Sequence, residues 1–149
     1  MTQYDPNTLA AMVSELRAAG MSDNGIRGIF ANVKDESGFN PGLSHYDQPA
    51  ARFQGTEAQN AHGLYQEGGD EWNNYEAWRQ KNAPGSSWAD PALQTRFLAQ
   101  NLKANYAPVW DALNNGTPEQ GAQAFVRGYL KPRQDYADSR ANAYARGVP

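Results

Sequence analysis

Apolar side chains recur three or four residues apart along most of this chain, and residues that begin or end helices bound each such segment. The first segment opens with Asp5-Pro6, which is typical of a helix start, and closes at Gly20. Its apolar stripe comprises Leu9, Met12, Val13 and Leu16. A chain patterned in this way buries its apolar faces by packing helix against helix, which favours a mainly α domain.

The second helical segment begins near Ser22 or Asp23 and stops at Gly38, and Asn40-Pro41-Gly42 marks the exit from the helix. Its apolar stripe comprises Ile26, Ile29, Phe30 and Val33. The pattern therefore places Glu36 at the carboxyl end of this helix.

Helical periodicity is lost over residues 42–66, which are rich in Gly, Gln, Asn and Ala. We expect a long loop there, with a small hairpin around residues 51–54 and 63–66. A loop of this length inside a compact domain is usually functional. The pattern therefore predicts a helical domain with a small irregular or β-hairpin lobe after its second helix.

Further helical segments follow this lobe. Residues 71–81 carry Trp72, Tyr75 and Trp78 at helical spacing, which is more typical of a core than of a sugar-binding surface. Four more helices are expected. One begins at Asp90-Pro91, one spans residues 107–113, one runs from Thr117-Pro118 to Pro132, and the last covers residues 136–146. Since no internal repeat or linker interrupts the pattern, residues 1–149 are predicted to form one domain.

Composition excludes several classes of protein. The chain has no Cys, so disulfides, thiolate zinc sites and Cys nucleophiles are ruled out. Its net charge of −3, from 13 basic and 16 acidic residues, argues against nucleic acid as a partner. No apolar run suits a membrane span, and the amino terminus lacks the basic and apolar regions of a secretory signal. A function outside the cytoplasm would therefore require another route of delivery.

Two adjacent carboxyls, Asp35 and Glu36, end the second helix on different faces. At about 100° per residue, Asp35 falls on the solvent face and Glu36 on the flank of the apolar stripe. Burial and the negative end of the helix dipole both disfavour a charged carboxylate. Glu36 is therefore a candidate general acid, although a glutamate that only satisfies the following loop fits the same position.

Short motifs around this glutamate resemble those of a known enzyme class. Glu36-Ser37, Asn40-Pro41 and Gly63-Leu64-Tyr65-Gln66, in that order, resemble the active-site signature of lysozyme-like muramidases and lytic transglycosylases. With Ala31-Asn32-Val33 before the glutamate, the chain is most similar to the lysozyme domains of tailed phages, which occur at tail tips or in endolysins.

The resemblance extends into the C-terminal part of the chain. Residues 124–132, followed by Arg140 and Ala143, are similar to that family's Tyr-x-x-Pro segment and last helix. The match therefore spans roughly residues 20–146. It implies a mainly α member of the α+β lysozyme-like folds.

The resemblance also implies a reaction. Family members cleave the β-1,4 bond between N-acetylmuramic acid and N-acetylglucosamine in bacterial peptidoglycan, and no cofactor is implied. Glu36 matches the family's catalytic acid, which protonates the glycosidic oxygen.

Further positions match residues that line the family's substrate cleft. Ser37 would hold the end of the acid's helix and line the cleft, and Gly63 would let the backbone approach the sugar closely. Gln66 would hydrogen-bond the sugar or its N-acetyl group, and Tyr65 of the same motif would also bind substrate. Tyr129 would lie near the acid and orient its carboxyl, although a core aromatic fits its helical spacing equally well.

The second carboxylate that glycoside hydrolysis usually requires is left open. Asp47 is preferred, because lysozyme-like enzymes tend to place this group shortly after the acid-bearing helix, although a turn-capping Asp fits there too. The alternatives are Glu57, Glu67 and Asp70. If none of them faces the cleft, the 6-hydroxyl of the muramic acid would attack internally and give an anhydro product, as lytic transglycosylases do. The phage-type match favours the hydrolase.

Two other functions compete with this one. His45, Asp47 and His62 offer two imidazoles and a carboxylate, but no H-E-x-x-H pattern is present, so no metal site is predicted. A lysozyme-like module that only binds glycan would usually have lost its acid, whereas Glu36 is present.

The charge balance bears on how the chain reaches its substrate. Peptidoglycan and its associated polymers are anionic, so a chain of charge −3 gains no electrostatic steering toward them. We therefore expect a protein made in the cytoplasm and carried to the cell wall or periplasm by a phage particle, a holin or a secretion machine. A monomer is the default expectation.

Overall fold

The computed structural model describes residues 4–44 and 61–130, and that part of the chain is mainly helical. Its helices are α1 (Pro6–Ala18), α2 (Asp23–Ser37), α3 (Gly69–Asn82), α4 (Pro91–Asn105), α5 (Ala107–Asn115) and α6 (Pro118–Phe125), and a π-helical turn at Val126–Leu130 continues α6. The mainly α class predicted from the apolar spacing is confirmed. Within these residues, no helix combines the length and the apolar character needed to cross a bilayer.

Local capping sets the starts of the first two helices. The Asp5 carboxylate accepts a hydrogen bond from the backbone N–H of Asn7 at 2.9 Å, and Ser22 Oγ accepts from the N–H of Gly25 at 3.1 Å. Both contacts satisfy amides that the helix itself leaves without a partner. Gly38 ends α2 in the left-handed region, with φ 59°. The predicted boundaries of these two helices are confirmed.

The later helices follow the prediction with shifted ends. The helix expected over residues 71–81 is α3, and the one expected over residues 107–113 is α5, which extends to Asn115. Thr117 and Gln120 form the capping box that begins α6. The backbone changes to π geometry at Val126, which the spacing of apolar residues did not predict. Pro132 and residues 136–146 lie outside the described residues.

Close packing of α2 against α6 fixes the position of the end of α2. A Cβ atom on Gly28 would lie 3.0 Å from the backbone nitrogen of Ala122, so this approach requires a residue without a side chain. The buried Asn32 side chain donates to the carbonyl oxygens of Ala122 at 3.1 Å and Gly28 at 3.2 Å. The main core lies around this contact and contains Met12, Leu16, Ile29, Val33, Leu98, Leu102, Leu113 and Phe125.

A second, aromatic cluster joins α3 to α4. Trp72, Tyr75 and Phe97 are buried there, with Trp78 and Trp88 packed against them. The prediction that the aromatic residues of α3 belong to the core is therefore confirmed for Trp72 and Tyr75.

The lobe between α2 and α3 shows little regular pairing where it is described. His62 forms isolated antiparallel bridges with Ser44 and with Glu67, and the described residues contain no strand. The hairpin expected around residues 51–54 lies outside the described residues.

Candidate active site

The last turn of α2 presents the Glu-Ser pair to the segment 63–66. Glu36 is half-buried there, and Ser37 is buried. Ser37 Oγ donates to the carbonyl oxygen of Leu64 at 2.9 Å, with the carbonyl oxygen of Val33 also within reach at 3.3 Å. The hydroxyl thus joins two motifs that lie 27 positions apart in the chain.

The segment 63–66 is held in place by Gln94 of α4. Gln94 Oε1 accepts from the backbone N–H of Leu64 at 2.8 Å, and its Nε2 donates to the carbonyl oxygens of Pro41 at 2.9 Å and Trp88 at 3.0 Å. A Cβ atom on Gly63 would lie 2.6 Å from Gln94 Oε1, and Gly63 has φ +81°. Gly63 is therefore required by the close approach of Gln94, a contact that sequence reasoning missed.

Tyr65 and Gln66 point in different directions from this segment. Tyr65 is 2% exposed, and its hydroxyl lies 2.7 Å from Thr95 Oγ1, so its side chain belongs to the core. Gln66 adopts φ +49°, a conformation that residues with side chains rarely adopt, and its Nε2 donates to the carbonyl oxygen of Gly63 at 2.8 Å. Its buried Oε1 has no hydrogen-bond partner among the described residues. Substrate binding by these two residues stays a prediction.

Tyr129, in the π-helical turn, contacts one of the carboxyls that the sequence offered as an alternative second carboxylate. The buried Tyr129 hydroxyl donates to Glu67 Oε1 at 2.6 Å. It also accepts from Asn101 Nδ2 at 3.3 Å. Tyr129 therefore hydrogen-bonds Glu67, the residue directly after the Gly-Leu-Tyr-Gln motif.

Glu71 extends this polar network toward α4 and α5. Its Oε2 accepts from Asn101 Nδ2 at 2.6 Å, and its Oε1 accepts from the Tyr106 hydroxyl at 3.1 Å. Asn101 therefore lies between the two carboxyls and connects Glu71 with Tyr129. No motif marked Asn101 or Glu71, because their roles arise only when α3 and α4 pack together.

The acidity of Glu67 is strongly altered by this environment. Burial raises the pKa of Glu67 to about 8, and the hydrogen bond from Tyr129 opposes that rise. The negative charges of Glu71 and Glu36 add to the rise. Burial and the same carboxyl also raise the pKa of Tyr129. Glu67 therefore carries a proton at neutral pH.

The other candidate carboxyls are placed differently. Asp70 is exposed in the first turn of α3. Asp47, the preferred second carboxylate, and Glu57 lie outside the described residues. Of the four carboxyls that the sequence offered, Glu67 is thus the one that a described hydrogen bond joins to Tyr129.

The residues considered as metal ligands are only partly described. Across residues 4–44 and 61–130, no group of three or more His, Asp or Glu side chains is arranged to hold a metal ion. His62 is buried, with Nδ1 2.9 Å from Ser44 Oγ and its ring stacked 4.0 Å from that of Trp72. His45 and Asp47 lie outside the described residues.

A glutamate at the end of a helix, together with a further carboxyl directly after the segment that this helix end contacts, provides acidic groups of the kind found in enzymes that cleave glycosidic bonds. The family model described as phage tail lysozyme matches residues 7–148, which is nearly the whole chain. The chain therefore belongs to the phage tail lysozyme family. No curated protein matches it. Membership in this family indicates peptidoglycan-degrading activity on the bacterial cell wall, in a phage context.

Proposed function

We propose that the chain is a muramidase that cleaves the β-1,4 bond between N-acetylmuramic acid and N-acetylglucosamine. Glu36 is its general acid and protonates the glycosidic oxygen of the leaving sugar. The observation that carries this proposal is the hydrogen bond from Ser37 to Leu64, which joins the glutamate's helix end to the segment 63–66. The acid and the sugar-binding segment are then parts of one rigid site.

The other site residues have supporting roles in this proposal. Ser37 fixes the end of α2, and Gly63 allows the packing of Gln94 that holds the segment in place. Gln66 binds the sugar or its N-acetyl group, since its Oε1 lacks a partner among the described residues. Tyr129 acts on the acid through Glu67, to which it donates. Tyr65 supports the segment from the core side, through its contact with Thr95.

Asp47 is proposed as the carboxylate that completes a hydrolytic site, by activating water or stabilising the oxocarbenium-like transition state. This role follows from its position shortly after the acid-bearing helix. A lytic transglycosylase is the second candidate function, and a specific observation favours it. Because Glu67 carries a proton at neutral pH, it is a poor base for activating water, so internal attack by the muramic acid 6-hydroxyl becomes the alternative.

Digestion of purified peptidoglycan, followed by mass spectrometry of borohydride-reduced products, tests the proposal. A muramidase releases products with a reduced muramic acid terminus, each containing one added water. A transglycosylase releases anhydromuramic products that are lighter by one water and resist reduction. Products that end in reduced N-acetylglucosamine would contradict cleavage of the proposed bond, and binding without any product would indicate a glycan-binding module.

We also propose that a phage particle or lysis machinery carries the chain to the wall. The support is the net charge of −3, which provides no attraction to anionic wall polymers. A protein delivered in this way acts where it is released and does not depend on long-range steering.

A further inference from the structure

The segment 63–66 is closed at its base by a backbone pair and ends on a strained residue. The backbone N–H of Glu67 donates to the carbonyl oxygen of His62 at 2.9 Å, and the N–H of His62 donates to the carbonyl oxygen of Glu67 at 2.8 Å. Gln66, directly before Glu67, has φ +49°. A residue with a side chain keeps such a conformation only where surrounding contacts hold it, and residues of this kind cluster at functional sites. The contacts of Glu67 therefore bear on how Gln66 is placed.

The Glu67 side chain is anchored by Tyr129 of the π-helical turn. Glu67 Oε1 accepts from the Tyr129 hydroxyl at 2.6 Å. Tyr129 is 7% exposed, and the centre of its ring lies 4.9 Å from that of Tyr106 and 5.4 Å from that of Phe125. This packing fixes the oxygen of Tyr129, but the O–H bond can still rotate, because a hydroxyl both donates and accepts. The other contact of that oxygen decides where its proton points.

Asn101 of α4 decides this direction. An amide nitrogen only donates, so the Tyr129 oxygen accepts from Asn101 Nδ2 at 3.3 Å and its single proton is left for Glu67. The amide of Asn101 is itself oriented at both ends. Its Nδ2 donates to Glu71 Oε2 at 2.6 Å, and its Oδ1 accepts from Asn105 Nδ2 at 2.8 Å. A flipped amide would place its oxygen against the Glu71 carboxyl and its NH2 group against that of Asn105.

We propose that Asn101 is a positioning residue for sugar binding. It directs the Tyr129 hydroxyl to Glu67 and thereby holds the base of the segment 63–66. Gln66 is then kept in the conformation in which its amide meets the sugar. Asn101 is 9% exposed and acts through these contacts, without touching the sugar. This inference rests on the proposed function, which assigns sugar binding to Gln66.

Removing the Asn101 amide should weaken glycan binding. In Asn101→Ala, the Tyr129 proton is no longer directed to Glu67. Gln66 is then placed less well, and the affinity should fall roughly three- to tenfold, which is the effect of about one hydrogen bond. Gln66→Ala should cause a loss of similar size. Adding Asn101→Ala to Gln66→Ala should weaken binding by less than about twofold more, because the group that Asn101 positions is already gone. A residue that only supports the fold would not show this dependence on Gln66.

The experiment titrates the full chain with a soluble oligosaccharide of alternating N-acetylglucosamine and N-acetylmuramic acid. Affinity is measured as Kd by calorimetry in the Glu36→Gln background, and as KM from initial rates with Glu36 present. Gln100→Ala is the matched control and should bind as the wild type does, since Gln100 precedes Asn101 on α4, is exposed and hydrogen-bonds Trp78 instead. Thermal melts verify that each variant is folded. Unchanged affinity in Asn101→Ala, an equal loss in Gln100→Ala, or a fully additive loss in the Gln66→Ala background would overturn the proposal.

Tyr129→Phe covers the case in which Asn101→Ala does not fold. It removes the hydrogen bond to Glu67 and keeps the ring, so it should weaken the affinity by a similar factor and add little in the Gln66→Ala background. Unchanged affinity in Tyr129→Phe would likewise overturn the proposal. Failure of the proposed function is distinguishable from failure of this inference. Full activity of Glu36→Gln would reject the general acid, whereas an inactive Glu36→Gln with unchanged affinity in Asn101→Ala would reject only the role of Asn101.

Discussion

At the scale of single residues, Gly63 shows how a site segment is fixed by what surrounds it. The Gln94 amide fills the space where a side chain on Gly63 would lie, and three hydrogen bonds hold that amide there. A residue with a Cβ atom would have to displace Gln94 and break those bonds. The glycine therefore matters for stability as well as for any approach of substrate.

Gly63→Ala should destabilise the fold more than Gly85→Ala. Both glycines have φ +81°, so alanine has the same backbone strain of about 1 kcal/mol at either position. Only at position 63 does the new Cβ overlap a neighbour, whereas none lies within 4 Å at position 85. Urea denaturation should give an additional loss of roughly 1–3 kcal/mol for Gly63→Ala. Equal losses in the two variants would show that Gln94 yields freely.

Glu67 should make stability depend on pH. Its pKa is about 8 in the folded chain and 4.5 when unperturbed, so the folded state binds the additional proton between those values. The stabilisation from this proton is complete below about pH 4.5 and is lost as the pH rises through about 8.

Urea denaturation at pH 6 and pH 9 tests that dependence. The free energy of unfolding of the wild type should fall by roughly 1–3 kcal/mol more than that of Glu67→Gln, since partial exposure reduces the full effect. An equal change in unfolding free energy between pH 6 and pH 9 in the wild type and in Glu67→Gln would contradict a raised pKa of Glu67.

At the scale of elements, the helix starts were predictable because the groups that set them are neighbours in the chain. Asp5 caps Asn7, Ser22 caps Gly25, and Thr117 pairs with Gln120. The π-helical turn after Phe125 was missed, because spacing alone does not distinguish it from a continued α-helix.

The site residues likewise fall into those that the sequence could identify and those that it could not. Motif resemblance identified Glu36, Ser37 and Gln66, which lie in or beside the contact between α2 and the segment 63–66. It left Glu67 among the alternatives to Asp47, which lies outside the described residues, and it gave no sign of Asn101. The hydrogen bonds of Glu67 and Asn101 span 62 and 28 positions to Tyr129, so they follow from tertiary packing and not from any local pattern.

Ser37→Ala tests the contact between these elements. The variant leaves the buried carbonyl oxygen of Leu64 without its donor, which should cost roughly 1–3 kcal/mol of unfolding free energy. Because the end of α2 is then less well positioned, the turnover rate should fall while binding to peptidoglycan changes little. Ser14→Ala, at an exposed position of α1, is the control and should leave both quantities unchanged. Wild-type stability and rate in Ser37→Ala would contradict the role of this hydrogen bond.

At the scale of the whole molecule, packing of α2 against α6 and of α4 against the segment 63–66 brings distant parts of the chain to one site. Gly28 and Asn32 fix the first contact, and Gln94 fixes the second. Glu36 lies in the last turn of α2, and Glu67 follows directly after the segment 63–66. The helical core thus joins the end of the helix that carries Glu36 to the segment that precedes Glu67, which is the physical basis for proposing acid chemistry in this domain.

The most direct measurement compares the rate at which Glu36→Gln and the wild type clear a suspension of purified peptidoglycan. Gln is close to isosteric with Glu but has no proton to deliver, so the variant should fold and lose roughly 100- to 10,000-fold in rate. Asp35→Asn, with the same change in charge one residue away, should keep its rate within about twofold of the wild type. A Glu36→Gln variant that clears peptidoglycan at the wild-type rate would contradict the assignment of Glu36 as the acid.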